Sequence, residues 1–85
     1  MKVLIPTPLH HYTRTKEVDA TGASLAEVLV DLDRQFPGLR FRVVDEQDRL
    51  RPHMRFFVNG EQVFELFHPL VPADSIQIVQ ALSGG

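Results

Sequence analysis

The sequence predicts an α+β domain in which a mixed sheet of four to five strands wraps one principal amphipathic helix. Leu25, Val28, Leu29, Leu32 and Phe36 recur at i, i+3, i+4, i+7 and i+11, which places them on one helical face. Asn59-Gly60 separates two short runs rich in aromatic and β-branched residues, the pattern of a tight hairpin. Alternating apolar runs precede the helix and follow the hairpin, so strands lie on both sides of it in the chain. With 85 residues, 44% of them hydrophobic, there is material for one modest core and no second domain.

Lys2 to Pro6 is a short apolar run closed by Pro6-Thr7-Pro8, a first strand followed by a turn. Thr15 to Ala20 alternates, with Val18 pointing inward, and gives a second strand. Thr21-Gly22 breaks that pattern. Ser24 followed three residues later by Glu27 is a capping box that opens the helix, and Pro37-Gly38 stops it. Leu39, Phe41, Val43 and Val44 form an apolar patch, and the polar run Asp45-Glu46-Gln47-Asp48-Arg49 reads as a loop. Arg55 to Val58 and Glu61 to Phe64 flank Asn59-Gly60; both turn residues tolerate positive φ, which a type I′ turn requires. Pro72-Ala73-Asp74 then turns the chain into a last strand, Ser75 to Ala81, where Ile76 and Ile78 alternate with polar residues.

Charge and composition exclude several classes of function. Residues 1 to 40 carry five basic and five acidic groups and residues 41 to 85 carry four and six, so neither half is a nucleic-acid or membrane-binding arm. Without cysteine there is no disulfide, no thiolate metal site and no thiol nucleophile. The N-terminal apolar run is too short for a signal peptide, and no stretch is long enough to span a bilayer. A soluble cytoplasmic protein is the expectation.

Gly84-Gly85 closes the sequence. Lacking Cβ atoms, two glycines can extend through a slot too narrow for other residues. A terminal carboxylate, with a reference pKa of about 3.3 to 3.7, is ionised at neutral pH. As an anion it can attack the α-phosphorus of ATP to give an acyl-adenylate, from which sulfur or an amine displaces AMP. A loose, small-residue tail is the competing reading. With no cysteine elsewhere, any sulfur this chain handles rides on its C-terminus or on a partner.

In this order the residues resemble the ubiquitin-like β-grasp sulfur carriers of the MoaD/ThiS type. That family includes the small subunit of molybdopterin synthase, the thiamine sulfur carrier and a carrier for cysteine biosynthesis. The resemblance covers nearly the whole chain: Val3-Leu4-Ile5-Pro6-Thr7, the helix from Thr21 to Gly38, Phe57-Val58-Asn59-Gly60-Glu61, and Ala73 to Ile78 leading to Ala81-Leu82-Ser83-Gly84-Gly85. The Ile5-Pro6-Thr7 entry and the long segment before the hairpin are closer to the cysteine-biosynthesis type than to the thiamine type. Ser83 departs from the Ala that many members carry there, which leaves the preference for an activating enzyme open.

The resemblance implies a body at residues 1–82 and a flexible tail at 83–85. It implies that an activating enzyme consumes ATP to adenylate Gly85, and that a sulfur donor protein then converts it to a thiocarboxylate for a downstream biosynthetic enzyme. Gly84, Ser83 and Leu82 would be read by partner clefts. The chain would bind no cofactor and contribute no catalytic residue. With the family's strand order, alternation that turns Val3, Ile5, Phe56, Val58, Ile76 and Ile78 toward the helix puts Leu4, Phe57 and Val79 on the open face as a partner-binding patch. A one-residue slip would invert the faces, and the 63–70 segment is the alternative cover for them.

Other motifs carry less. His10 and His11 are adjacent, and His53 and His68 are distant, a spacing unlike common zinc patterns. Asp31 and Asp33, two apart on a helix, cannot face each other as a catalytic pair. Arg40, Arg42, Arg49, Arg51 and Arg55 cluster, but Asp45, Glu46 and Asp48 interrupt them, so local salt pairing outweighs nucleic acid or an acidic partner. A ubiquitin-like modifier joined to lysines through Gly85, and a plain interaction module, remain as alternatives to the carrier.

Overall fold

The computed structural model describes residues 1–81; Leu82, Ser83, Gly84 and Gly85 lie outside the described residues. The elements are β1 (Lys2–Leu4), a 3-10 turn (Thr7–Leu9), α1 (His10–Thr13), β2 (Glu17–Asp19), α2 (Leu25–Gln35), α3 (Leu39–Val43), β3 (Met54–Val58), β4 (Glu61–Val63) and β5 (Ser75–Gln80). They build a five-stranded sheet of order β2-β1-β5-β3-β4. Only the central β1–β5 pair is parallel, so the sheet is mixed.

α2 forms where the capping box places it. The Ser24 hydroxyl accepts from the Glu27 backbone N–H at 3.3 Å, and the Glu27 carboxylate accepts from Ala23 N–H at 3.1 Å. The return bond reaches one residue before the cap, a variant of the usual box. A helix also leaves its next N–H groups without intrahelical partners. Here Leu25 N–H donates to His68 O at 3.3 Å and Ala26 N–H to Leu66 O at 2.8 Å. The 64–70 segment is thereby tied to the start of α2, with Leu70 buried and Leu66 packed against the core.

The core lies between the sheet and the two helices α2 and α3. Leu25, Val28, Leu29 and Leu32 are buried from α2, and Phe36, its C-cap, packs against the cluster half-buried. From the sheet come Val3, Phe56, Val58, Ile76 and Ile78, with Ile5 just past the end of β1, all at least 93% buried. Their burial fixes the sheet register, because a shift of one residue would have exposed the whole set.

Two segments differ from the sequence expectation. The stretch Leu39–Val43, read from the sequence only as an apolar patch, is a helix, with Leu39 and Val43 one turn apart and fully buried. Gly38 enters it at φ 97°, a left-handed conformation that glycine adopts without strain. Its opening N–H groups are satisfied from another element: Asp33 Oδ1 accepts from Gly38 N–H at 3.0 Å and from Arg40 N–H at 3.2 Å. The segment after β1 is likewise helical, a 3-10 turn running into α1, where the sequence offered only a turn. β1 ends at Leu4 rather than Pro6 because Pro6 caps that 3-10 turn. The second and last strands are also trimmed, to Glu17–Asp19 and Ser75–Gln80.

Candidate functional site

Two residues that carry little signal singly are joined in the structure, and together they aim β5. Asn59 (φ 51°) and Gly60 (φ 87°) form the tight turn between β3 and β4. The Asn59 side-chain amide donates to Asp74 Oδ1 at 2.9 Å, its carbonyl oxygen accepts from Ser75 N–H at 2.9 Å, and Asn59 N–H donates to Ser75 O at 2.8 Å. Asp74 Oδ2 accepts from Val71 N–H at 2.9 Å. The hairpin turn is thus clamped to the residue that opens the last strand. β5 then runs between β1 and β3 to Gln80, and Ala81 N–H donates to His53 O at 2.7 Å.

The Val71 N–H and the Asn59 amide hold the Asp74 carboxyl below the usual aspartate range. A carboxylate whose folded pKa is depressed stabilises the fold above its unfolded pKa of about 3.9, and that contribution is lost as pH falls through the folded value. Asp74→Asn is expected to weaken the pH dependence of stability on the acid side. Urea midpoints at neutral and acid pH would show it; the same dependence in variant and parent would remove the clamp from the account.

The face of the sheet opposite the helices carries the residues expected there. In register across the strands, Leu4 lies beside Gln77 and Gln77 beside Phe57, while Val79 lies beside Arg55. Leu4, Phe57 and Val79 are all half-buried; Leu4 and Phe57 flank Gln77 directly across the strands, and Val79 lies two residues beyond it on β5. The apolar surface is therefore interrupted at its centre by an exposed amide. Leu4 and Val79 line a shallow depression of about 420 Å³, with Pro6, His10, Lys16 and Gln77 on its walls. Gln77 and Arg55 share that face, since the period of two that selects Val79 selects them as well. The 63–70 segment is hydrogen-bonded to α2 instead.

The remaining motifs resolve into structure. His10 Nε2 lies 2.7 Å from Ile5 O; a carbonyl only accepts, so that nitrogen carries the proton. Asp31 accepts from Arg34 at 2.5 Å, Thr21 N–H at 3.1 Å and Gln35 at 3.0 Å, bonds that hold its carboxyl below the usual range, Arg34 first. Asp33 caps α3. Arg40 pairs with Asp48, and Arg49 with Asp45 at 3.4 Å. Arg51 donates to Phe41 O at 2.8 Å, and Arg55 to Pro52 O at 2.6 Å. Among the described residues no three His, Asp or Glu side chains converge as a metal donor set. Gly85, Gly84, Ser83 and Leu82, the expected reactive end and its recognition residues, lie outside the described residues.

Residues 3–85 match the ThiS family. The sulfur carrier protein CysO of Mycobacterium tuberculosis is 34% identical over 89 residues, covering 98% of this chain and 96% of that protein. Among solved structures, a chain of the Amycolatopsis orientalis BexX/CysO complex superposes with a TM-score of 0.91 at 32% identity, covering 99% of this chain and 98% of that one. The small archaeal modifier protein 1 of Methanosarcina acetivorans gives a TM-score of 0.83 at 25% identity, covering 99% and 94%. The architecture is the ubiquitin-like β-grasp. With the family match running along nearly all of the sequence and a relative above 30% identity aligned end to end, the chain belongs to the ThiS family.

Proposed function

We propose that this protein is a sulfur carrier whose Gly85 is the reactive group. The observation that carries the reading is the family match, which continues through Gly84-Gly85 and joins a chain of matching length to a sulfur carrier relative. The Gly85 carboxylate attacks the α-phosphorus of ATP on an activating enzyme and pyrophosphate leaves. A sulfide equivalent from a sulfur donor protein then attacks the acyl carbon and AMP leaves, giving a thiocarboxylate. Sulfur is more polarisable than oxygen, so this end becomes a strong nucleophile toward a downstream biosynthetic acceptor in the cysteine, thiamine, molybdopterin or thiolated-tRNA class.

On this reading the chain is not an enzyme. It binds no cofactor, and the ATP is consumed by the partner. The open face around Leu4, Phe57 and Val79 supplies the grip on partners, while Leu82, Ser83 and Gly84 feed Gly85 into their active sites. No helix among the described residues is long and apolar enough to cross a membrane, and the need for ATP fits a cytoplasmic setting.

Incubation with an activating enzyme, ATP and a sulfur donor is expected to add the mass difference between sulfur and oxygen, located at Gly85 by fragmentation. Deletion of Gly85 is expected to abolish it. An unchanged mass with each enzyme of the activating class, alongside full biological activity of the deletion variant, would overturn the proposal. The likeness to an archaeal modifier protein supports a second reading, amide linkage of Gly85 to lysines. A diglycine remnant on target lysines, without thiocarboxylate, would favour it.

A further inference from the structure

The cluster of arginines before the hairpin is only partly accounted for by local pairing. Asp48 and Asp45 are taken up by Arg40 and Arg49. The Arg42 side chain is exposed and makes no hydrogen bond or ion pair to any of the described residues, and among them the Arg51 side chain hydrogen-bonds only the Phe41 carbonyl. Both line a cleft of about 340 Å³, with Leu9 and Phe41 as its apolar walls and His53 and Gln80 at the strand end. Among the described residues no carboxylate lines it.

The cleft is pre-ordered. Arg51 lies over the Phe41 ring, 4.8 Å from its centroid, while donating from Nε to the Phe41 carbonyl at 2.8 Å. Its outer nitrogens make no hydrogen bond to the described residues, and a planar guanidinium so held can match a carboxylate in bidentate fashion. Phe41 is itself half exposed, giving an aromatic anchor beside two cations, the composition common at interface hot spots. Position adds to this. Gln80 ends β5 and Ala81 is bonded to His53, so the cleft sits at the root of the tail. Five residues from Ala81 to Gly85 extend at most about 18 Å. A protein that holds Gly85 in its active site therefore stands next to this cleft.

We propose that the cleft bounded by Phe41, Arg42, Arg51 and His53 is a docking site for an acidic segment of the enzyme that activates the tail. It adjoins the depression beside Leu4 and Val79, sharing Pro8 and Gln80 with it, and the proposal rests on the carrier reading above. Two contacts, one apolar on the sheet and one ionic at the tail root, fix the direction in which the tail is delivered. The ionic contact adds to encounter rate and orientation and weakens with salt.

A blocked tetraglutamate peptide titrated into the full chain at low salt is expected to shift the Arg42 and Arg51 Nε–H signals and the His53 and Gln80 amides, saturably. Arg42→Glu is expected to abolish those shifts and to raise KM for adenylation about tenfold with kcat little changed, while Arg14→Glu leaves both alone. No shifts, or shifts spread equally over Arg14, Lys16 and Arg34, would overturn the proposal, as would an unchanged KM. If removal of Gly84-Gly85 alone moved the Arg42 signal as far as the peptide does, the occupant would be the chain's own terminus and the proposal would fall. The titration does not depend on thiocarboxylate formation, so failure of the carrier reading and failure of the docking site are told apart.

Discussion

Phe56→Ala is expected to destabilise the domain by about 3–5 kcal/mol, a large part of the 5–15 kcal/mol that typically holds a small domain folded. Phe56 is 2% exposed and is the largest fully enclosed side chain. It pairs with Ile78 on one side and Val63 on the other, so its loss opens a cavity at the centre of the sheet's inner face. Urea denaturation would record the change as a lower midpoint with little change in slope. A midpoint within experimental error of the parent would mean that the core repacks around the gap, and the assignment of Phe56 as its centre would be wrong.

The next residue is expected to behave in the opposite way. Phe57 points from the same strand to the other face, where it is half-buried beside Gln77. Phe57→Asp is expected to cost little stability, about 1 kcal/mol for a substitution on a partly exposed sheet face, and to weaken binding of the activating enzyme by about tenfold or more. Calorimetry and a denaturation curve on the same sample would separate the two effects. Equal losses of stability and affinity would show that the face acts only as a lid on the core. Unchanged affinity would remove it from the binding surface. Gln77 at the centre offers a milder control, since Gln77→Ala keeps the apolar surround and removes only the amide.

The contrast between these neighbours shows which parts of the fold were legible in the sequence. Strand faces were in part, because apolar residues alternate with a period of two, and the observed burial of Ile76 and Ile78 decides between the two registers that alternation alone allows. α2 was, because eleven residues give its period three turns to repeat and Ser24 with Glu27 marks its start. Asn59-Gly60 was, because few residue pairs accept positive φ twice. α3 was not. Its five residues are too few for a period to declare itself, and alternation of Leu39, Phe41 and Val43 mimics a strand. A helix that short is not stable alone. It exists because Leu39 and Val43 are buried by tertiary contacts and because Asp33, seven residues before Arg40, caps it from α2. The 3-10 turn and α1 were missed for the same reason of length.

The candidate site divides along similar lines. Leu4, Phe57 and Val79 follow from alternation once strand order is known, but that order came from family resemblance and not from the residues. The Asn59 to Asp74 clamp spans fifteen positions, and each partner is an ordinary loop residue until the fold brings them together. Arg42 and Arg51 looked like members of one charge run. The structure separates them from Arg40 and Arg49 by what each side chain touches.

β5 has a hydrogen-bonded neighbour on each edge, parallel β1 and antiparallel β3, and it is the strand that leads out to the tail. A partner that tugs on the chain beyond Ala81 pulls along the axis of that strand. Both ladders then bear the load together in shear, instead of opening one bond at a time as a peeled edge strand would. For the proposed carrier the body is therefore a handle: tension applied beyond Ala81 is borne without unravelling the strands that hold β5.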